Sequence, residues 1–218
     1  ALYTARLKQQ KDFYQNTLGL KLLEDSEKKA NFKIGESVLS LVQRDKATPY
    51  HYAINIPANK EVEALKWLKE RVEILKDGEN ELQDFDFWNA KAMYFYDADQ
   101  NIVEFIARKN LKNSTETSFD QNSLLEISEI GVPLLDIKTC FKKLNEKTGI
   151  EVYDGYFERF CAIGDEHGLF IVINKAVKDW FPTNEKAFSS DFEMEMVQNQ
   201  KSFHIEFVKE ELKVRNTD

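Results

Sequence analysis

Two side chains in this sequence have the type and placement for chemistry: His51 and Glu104. Glu104 lies in the stretch AMYFYDADQNIVEFIA, residues 92–107. Its polar middle, DADQN, is turn-forming, and its flanks are aromatic and β-branched, as hairpin strands are. On the exit strand Ile102, Glu104 and Ile106 share one face, which makes Glu104 a carboxylate within an apolar strand. An isolated carboxylate is costly to bury, so Glu104 either faces water or meets a cation. A second polar residue, His51, opens another apolar strand, HYAINI. First-row metals take three or four donors of these two kinds.

The elements that must position these residues form a repeat. The chain opens with a strand, ALYTA, and a helical run near Leu7 to Thr17, whose Leu7, Phe13, Tyr14 and Leu18 lie to one side and which Gly19 terminates. Three strand-like pieces follow, KLLEDS, KANFKIG and SVLSLVQR, giving βαβββ. From Tyr50 the pattern restarts with HYAINIPA and a helix capped by Asn59, with Val62, Leu65, Leu68 and Val72 facing one way. It starts a third time at LLEISEIGVP, where Ile137, Cys140, Phe141 and Leu144 form a helical stripe, and it closes with two strands, FEMEMV and SFHIEFV. One spacing separates Leu2 from Phe13, Ile54 from Leu65, and Ile130 from Phe141. A unit reused in this way pairs with a copy of itself to bury its sheet face. The expected class is therefore α+β, built from repeated βαβββ units. Residues 109–123, polar and Ser/Thr/Asn-rich, read as a linker between a two-unit domain at 1–108 and a third unit with C-terminal strands at 124–218.

Composition narrows the function classes. A chain of 218 residues, 42% of them hydrophobic, is ample for one large domain or two small ones. A net charge of -8 argues against nucleic acid or an anionic membrane as the main partner. No apolar run approaches the ~18 residues of a membrane span, and no signal-like segment opens the sequence. Cys140 and Cys161, each in an apolar pattern, read as buried thiols of a cytoplasmic protein.

Aligning the units compares equivalent positions. At the slot of His51 the third unit has Ile127; at the slot of Glu104 the first unit has Ser40 and the third has Ile171. The second unit alone is seen to carry both polar groups; the His51 slot of the first unit falls two residues before Ala1. The third unit then serves packing, capping of the first domain's opening, or a homodimer contact.

The segments KDFYQNTLGLKLL, HYAINI and YFYDADQNIVEF together resemble the vicinal oxygen chelate superfamily, which includes glyoxalase I, extradiol ring-cleaving dioxygenases and bleomycin-resistance proteins. The resemblance covers residues 1–108 and extends more weakly over 125–175. It implies paired βαβββ units curled into an open barrel with metal ligands on the inner face. His51 matches the family's first-strand histidine and Glu104 its last-strand carboxylate, holding a divalent metal: iron(II) or manganese first, zinc or nickel as alternatives. Ser40 stands where glyoxalase I enzymes have a further Glu, so the dioxygenase pattern fits better; that pattern implies a histidine just upstream of Ala1 as the third ligand. Tyr94 matches the catalytic tyrosine of ring-cleaving dioxygenases, although their nearby acid–base histidine is absent. Trp88 and Tyr96 are candidates for lining a substrate cavity. Two functions follow: a metal-dependent dioxygenase or lyase acting on a small oxygen-rich or aromatic compound, or a metal-free small-molecule binding protein of the bleomycin-resistance kind.

Overall fold

The repeat is realised as sixteen strands and three α-helices in a computed structural model that describes residues 1–218. The first unit comprises β1 (Leu2–Thr4), α1 (Leu7–Asp12, continued by a π-turn over Phe13–Thr17), β2 (Leu22–Asp25), β3 (Lys29–Ile34) and β4 (Ser37–Gln43). The second has β5 (His51–Ile56), α2 (Glu61–Lys69), two short strands β6 (Ile74–Leu75) and β7 (Gln83–Phe85), then β8 (Ala90–Tyr96) and β9 (Ile102–Arg108). The third has β10 (Glu126–Leu134), α3 (Ile137–Thr148), β11 (Val152–Tyr156), β12 (Phe160–Asp165) and β13 (Gly168–Asn174). A meander of β14 (Phe192–Gln198), β15 (Lys201–Val208) and β16 (Glu211–Asn216) closes the chain, one strand more than the sequence pattern suggests. No helix is long and apolar enough to cross a membrane.

The units do not share sheets in the order expected. The sequence suggests that the first two curl together; instead β5 pairs antiparallel with β10, and β1 pairs with β14. One sheet runs β16-β15-β14-β1-β4-β3-β2, the other β11-β12-β13-β10-β5-β9-β8-β6 with β7 also on β8. Edge lengths explain the choice. All six residues of β5 are buried, so its edge needs a long apolar partner, which nine-residue β10 supplies and three-residue β1 does not. Between the sheets lies the main core, with Tyr14, Phe32, Ile54, Phe95, Phe105 and Phe207 fully buried in it. A smaller cluster containing Ala53, Tyr94, Ile106, Ile171 and Trp180 lies on the opposite face of the second sheet.

Local signals hold with two adjustments. Gly19 ends the first helical segment at φ +69°, a left-handed conformation glycine adopts without strain. In α3 the expected stripe is the buried face, and Asp136 caps it by accepting from the Thr139 N–H at 3.0 Å. In α2 the core face is Ala64, Trp67 and Leu68, and Val62 is 69% exposed, because the large Trp67 ring takes the inward position and packs on Phe105. Asn59 precedes that helix without capping it: its side chain brackets the Thr115 backbone. Cys140 and Cys161 are free and buried.

Candidate metal centre

The turn motif DADQN sets the site's register from a distance. Asp97 is buried, and its Oδ2 accepts from Gln10 Nε2 (2.9 Å), the Tyr14 hydroxyl (2.6 Å) and Asn101 Nδ2 (2.7 Å). Its Oδ1 accepts from the Asp99 and Asn101 backbone N–H groups, closing the turn. Burial pushes the Asp97 carboxyl up, and these donors oppose the shift. Asn101 Oδ1 in turn accepts from the Tyr50 N–H at 2.8 Å. The residue before His51 is thereby tied to the residue before Ile102. In the parallel ladder that follows, His51 sits beside Ile102 and Ala53 beside Glu104. On β8, Tyr94 is the cross-strand partner of Glu104.

A third donor comes from a strand where the sequence reading expected none. On the far side of β5, Ala53 pairs with Glu129 of β10. A bulge between Ile127 and Glu129 breaks the alternation, so Ile127 packs with the core while Glu129 faces the site. His51, Glu104 and Glu129 are all buried, and their donor atoms lie within 4.8 Å of one another. His51 Nε2 is 3.5 Å from Glu104 Oε2 and 4.0 Å from Glu129 Oε2. The third candidate donor of this cluster thus comes from the third unit, and β1 of the first unit lies in the other sheet. Ser40 is also in that sheet, donating to Asn31 Oδ1 at 2.6 Å, and takes no part.

The electrostatics of the cluster are those of a cation site. Burial lowers the His51 imidazolium to about 4, outweighing the Ile102 carbonyl oxygen 3.2 Å from Nδ1. Its contacts with the two carboxylates are therefore not ion pairs at neutral pH. A proton on Nδ1 directed at that carbonyl leaves the Nε2 lone pair facing the carboxylates. Glu104 is pushed well up by burial and by the Glu129 charge, with Arg108 opposing. Glu129 is raised by burial, again against Arg108. Arg108 is fully buried; its guanidinium donates to Glu129 Oε1, and its Nε donates to Asn55 Oδ1 at 3.2 Å. Two carboxylates and a neutral imidazole thus converge with one guanidinium for compensation. This donor set fits a divalent cation, whose bonds to such atoms run roughly 2.0–2.2 Å.

Above the cluster opens a cleft of about 440 Å³ with an aromatic lining that includes Phe85, Trp88, Tyr94, Phe160, Trp180 and Phe181. Trp180 lies 4.9 Å from His51, ring centre to ring centre, and Tyr94 meets Phe181 edge-on at 5.6 Å. Burial, then the Glu104 and Glu129 charges, raise the Tyr94 phenol well above its usual range, so it stays protonated. Trp88 lines the cleft and donates through Nε1 to Asp154 Oδ2 at 2.7 Å. Tyr96 does not line it; its hydroxyl turns toward Thr183 and Glu185. The structure thus brings His51, Tyr94, Glu104 and Trp88 together and leaves Tyr96 outside. Glu129 and Arg108 are the residues sequence reasoning missed. The signal was present for Glu129, a carboxylate within the apolar run ISEIGVPL, but slot-by-slot alignment looked at Ile127 instead.

With this geometry in view, comparison with known proteins is informative. Residues 1–105 match the model of the Glyoxalase/Bleomycin resistance protein/Dioxygenase superfamily. The match spans the first 105 of the chain's 218 residues, a little under half. Among solved structures it is similar over 100% of its length to a candidate dioxygenase from Bacillus subtilis subsp. subtilis str. 168, covering 83% of that chain at 13% identity and a TM-score of 0.59. It is similar over 98% of its length to a glyoxalase I variant from Zea mays, covering 90% of that chain at 15% identity and a TM-score of 0.57. Identities this low speak to the fold alone, which each shares over nearly all of this chain. No curated protein matches the sequence.

Proposed function

We propose that this chain is a divalent-metal-dependent enzyme of the vicinal oxygen chelate type, with dioxygenase-like or lyase-like chemistry on a small oxygen-rich or aromatic substrate. The observation that carries the proposal is the buried convergence of His51, Glu104 and Glu129 at the foot of an aromatic cleft. These three residues would hold the ion, and two carboxylates with one imidazole favour iron(II) or manganese, with zinc or nickel as alternatives. Such an ion, when bound, supplies Lewis-acid polarisation of adjacent substrate oxygens.

The remaining steps belong to the chain's own groups. Arg108 orients Glu129, so that one carboxylate oxygen is engaged and the other faces His51. Tyr94, protonated beside Glu104, can donate a hydrogen bond to a substrate oxygen and move a proton at its hydroxyl. Trp180 and Phe181 cover the cluster and keep bulk water from it. Trp88 and Phe160 offer ring faces that orient a planar substrate.

The test is metal content of protein purified without chelator, alongside His51→Ala and Glu104→Ala, followed by a screen of catechols under oxygen. Near-stoichiometric metal in the parent, lost in both variants, together with turnover of a catechol or related substrate supports the enzyme. Absence of metal even after anaerobic loading with iron(II) contradicts it. The aromatic lining would then mark a metal-free binding protein of the bleomycin-resistance kind.

A further inference from the structure

The cleft wall carries two cations that the metal centre does not use. Arg159 stands at the β11–β12 turn, and Lys178 lies on the segment joining β13 to β14; both line the cleft. Neither takes part in any ion pair of the molecule. The Lys178 ammonium has one long contact, 3.4 Å to the carbonyl oxygen of Asp179. Asp154, the other charged group of the wall, is already engaged: Oδ2 accepts from Trp88 Nε1 and Oδ1 from the Gly155 N–H, each at 2.7 Å.

Arg159 is exposed and Lys178 half-buried, so two like charges line one cleft of a protein whose net charge is -8 and whose carboxylates are plentiful. Lys178 is half-buried, and burial and the nearby Arg159 charge both lower its pKa, with Asp179 opposing. The same mouth presents Phe87, 94% exposed, and the exposed Tyr156. An exposed phenylalanine on a cleft wall gains its burial when a flat ligand covers it.

We propose that the substrate is a planar aromatic carboxylate, its anionic group held by Lys178 and Arg159 and its ring lying among the cleft aromatics. The end opposite the carboxylate then points toward His51, Glu104 and Glu129. Only that last orientation rests on the metal-dependent reading; capture of the anion stands on the two cations alone. Charge-assisted hydrogen bonds to a partly desolvated carboxylate are worth about a tenfold gain in affinity.

The experiment titrates metal-loaded protein with 3,4-dihydroxybenzoate and with its methyl ester, following tryptophan fluorescence, in the parent and in a Lys178→Met/Arg159→Gln double variant. Metal content is assayed in each sample. The expected result is an acid bound about tenfold more tightly than its ester by the parent. The double variant loses that preference while keeping its metal and its affinity for the ester. Equal binding of the two probes by the parent, persistence of the preference in the double variant, or no binding of either probe overturns the proposal. A parent that lacks metal yet prefers the acid keeps the anion subsite and removes the enzyme reading. A parent that holds metal without the preference does the reverse.

Discussion

The two sheets are built to one plan, yet only one buries a cluster of charged side chains. In the second sheet Glu104 lies beside Ala53, Glu129 beside Ala53 on its other edge, and Arg108 four residues beyond Glu104 on the same face of β9. The first sheet has Ser40 at the position of Glu104, Glu193 facing Ala1 as Glu129 faces Ala53, and Arg44 at the position of Arg108. The contacts diverge. Arg108 is fully buried on Glu129, whereas Arg44 is partly exposed, pairs with Asp191 at 3.1 Å, and lies 3.1 Å above the Tyr3 ring centre. Glu193 is engaged by the Tyr3 hydroxyl and faces no cluster of donors. The cleft beside it is slightly larger, about 480 Å³, and includes the surface pair His204–Glu195. Cavity size therefore does not distinguish the two clefts; the desolvated convergence of donors does.

The widest separation between the sheets is expected from their arginines. Arg108→Met leaves Glu129 buried without its partner and should cost about 3–5 kcal/mol in urea unfolding. Arg44→Met should cost under about 1 kcal/mol, and equal losses would erase the contrast drawn here. Next comes Gly131, which pairs with Ile171 beneath Trp180; a Cβ there would stand 2.6 Å from the indole edge. Gly131→Ala should destabilise by about 1–3 kcal/mol through overpacking and shift Trp180 fluorescence, and an unperturbed spectrum would mean the indole has room to move.

A smaller effect is expected in pH dependence. Glu104 is raised above its ordinary 4.5 in the fold, so its neutral form stabilises the metal-free protein below that pH, and the contribution is lost as pH rises through the folded value. His51 has the opposite sign: held at about 4 rather than 6.5, it is fully neutral and contributes its stability above 6.5, losing it as pH falls toward 4. Metal displaces whatever protons the raised carboxyls hold, so stabilisation by added metal should grow as pH rises through their folded values, by up to about 1.4 kcal/mol per unit for each proton released. A metal-induced Tm shift that does not grow anywhere above pH 4.5 would contradict the raised carboxyls. The smallest change belongs to Tyr94→Phe, which should leave metal content unaltered and lower turnover only. Loss of metal in that variant would make the phenol a structural prop of the cluster.

Much of this was legible in the sequence, because repeat spacing and residue type are local properties. The common offset from strand to helix fixes three βαβββ units, and His51 and Glu104 stand out as polar residues in apolar strands. Sheet partnership was not legible, since it depends on matching edge lengths between distant strands: β5 with β10 rather than β1. Glu129 escaped because a bulge reverses the facing of Ile127 and Glu129, and alternation read along a sequence assumes an unbroken pleat. The motif residues Tyr14 and Asp97 prove to be scaffold: they hydrogen-bond each other and hold Asn101, which anchors Tyr50. Their role required the fold, since they come from different units.

The central claim is that the metal centre spans the second and third units through Glu129. Its most direct test is divalent-metal titration of the parent, Glu129→Gln and Glu193→Gln, with circular dichroism confirming that each is folded. The account predicts one tight site in the parent and in Glu193→Gln, and a loss of about a hundredfold or more in affinity for Glu129→Gln, at least the loss seen when outer-shell partners are removed. A folded Glu129→Gln that binds metal as tightly as the parent would contradict it.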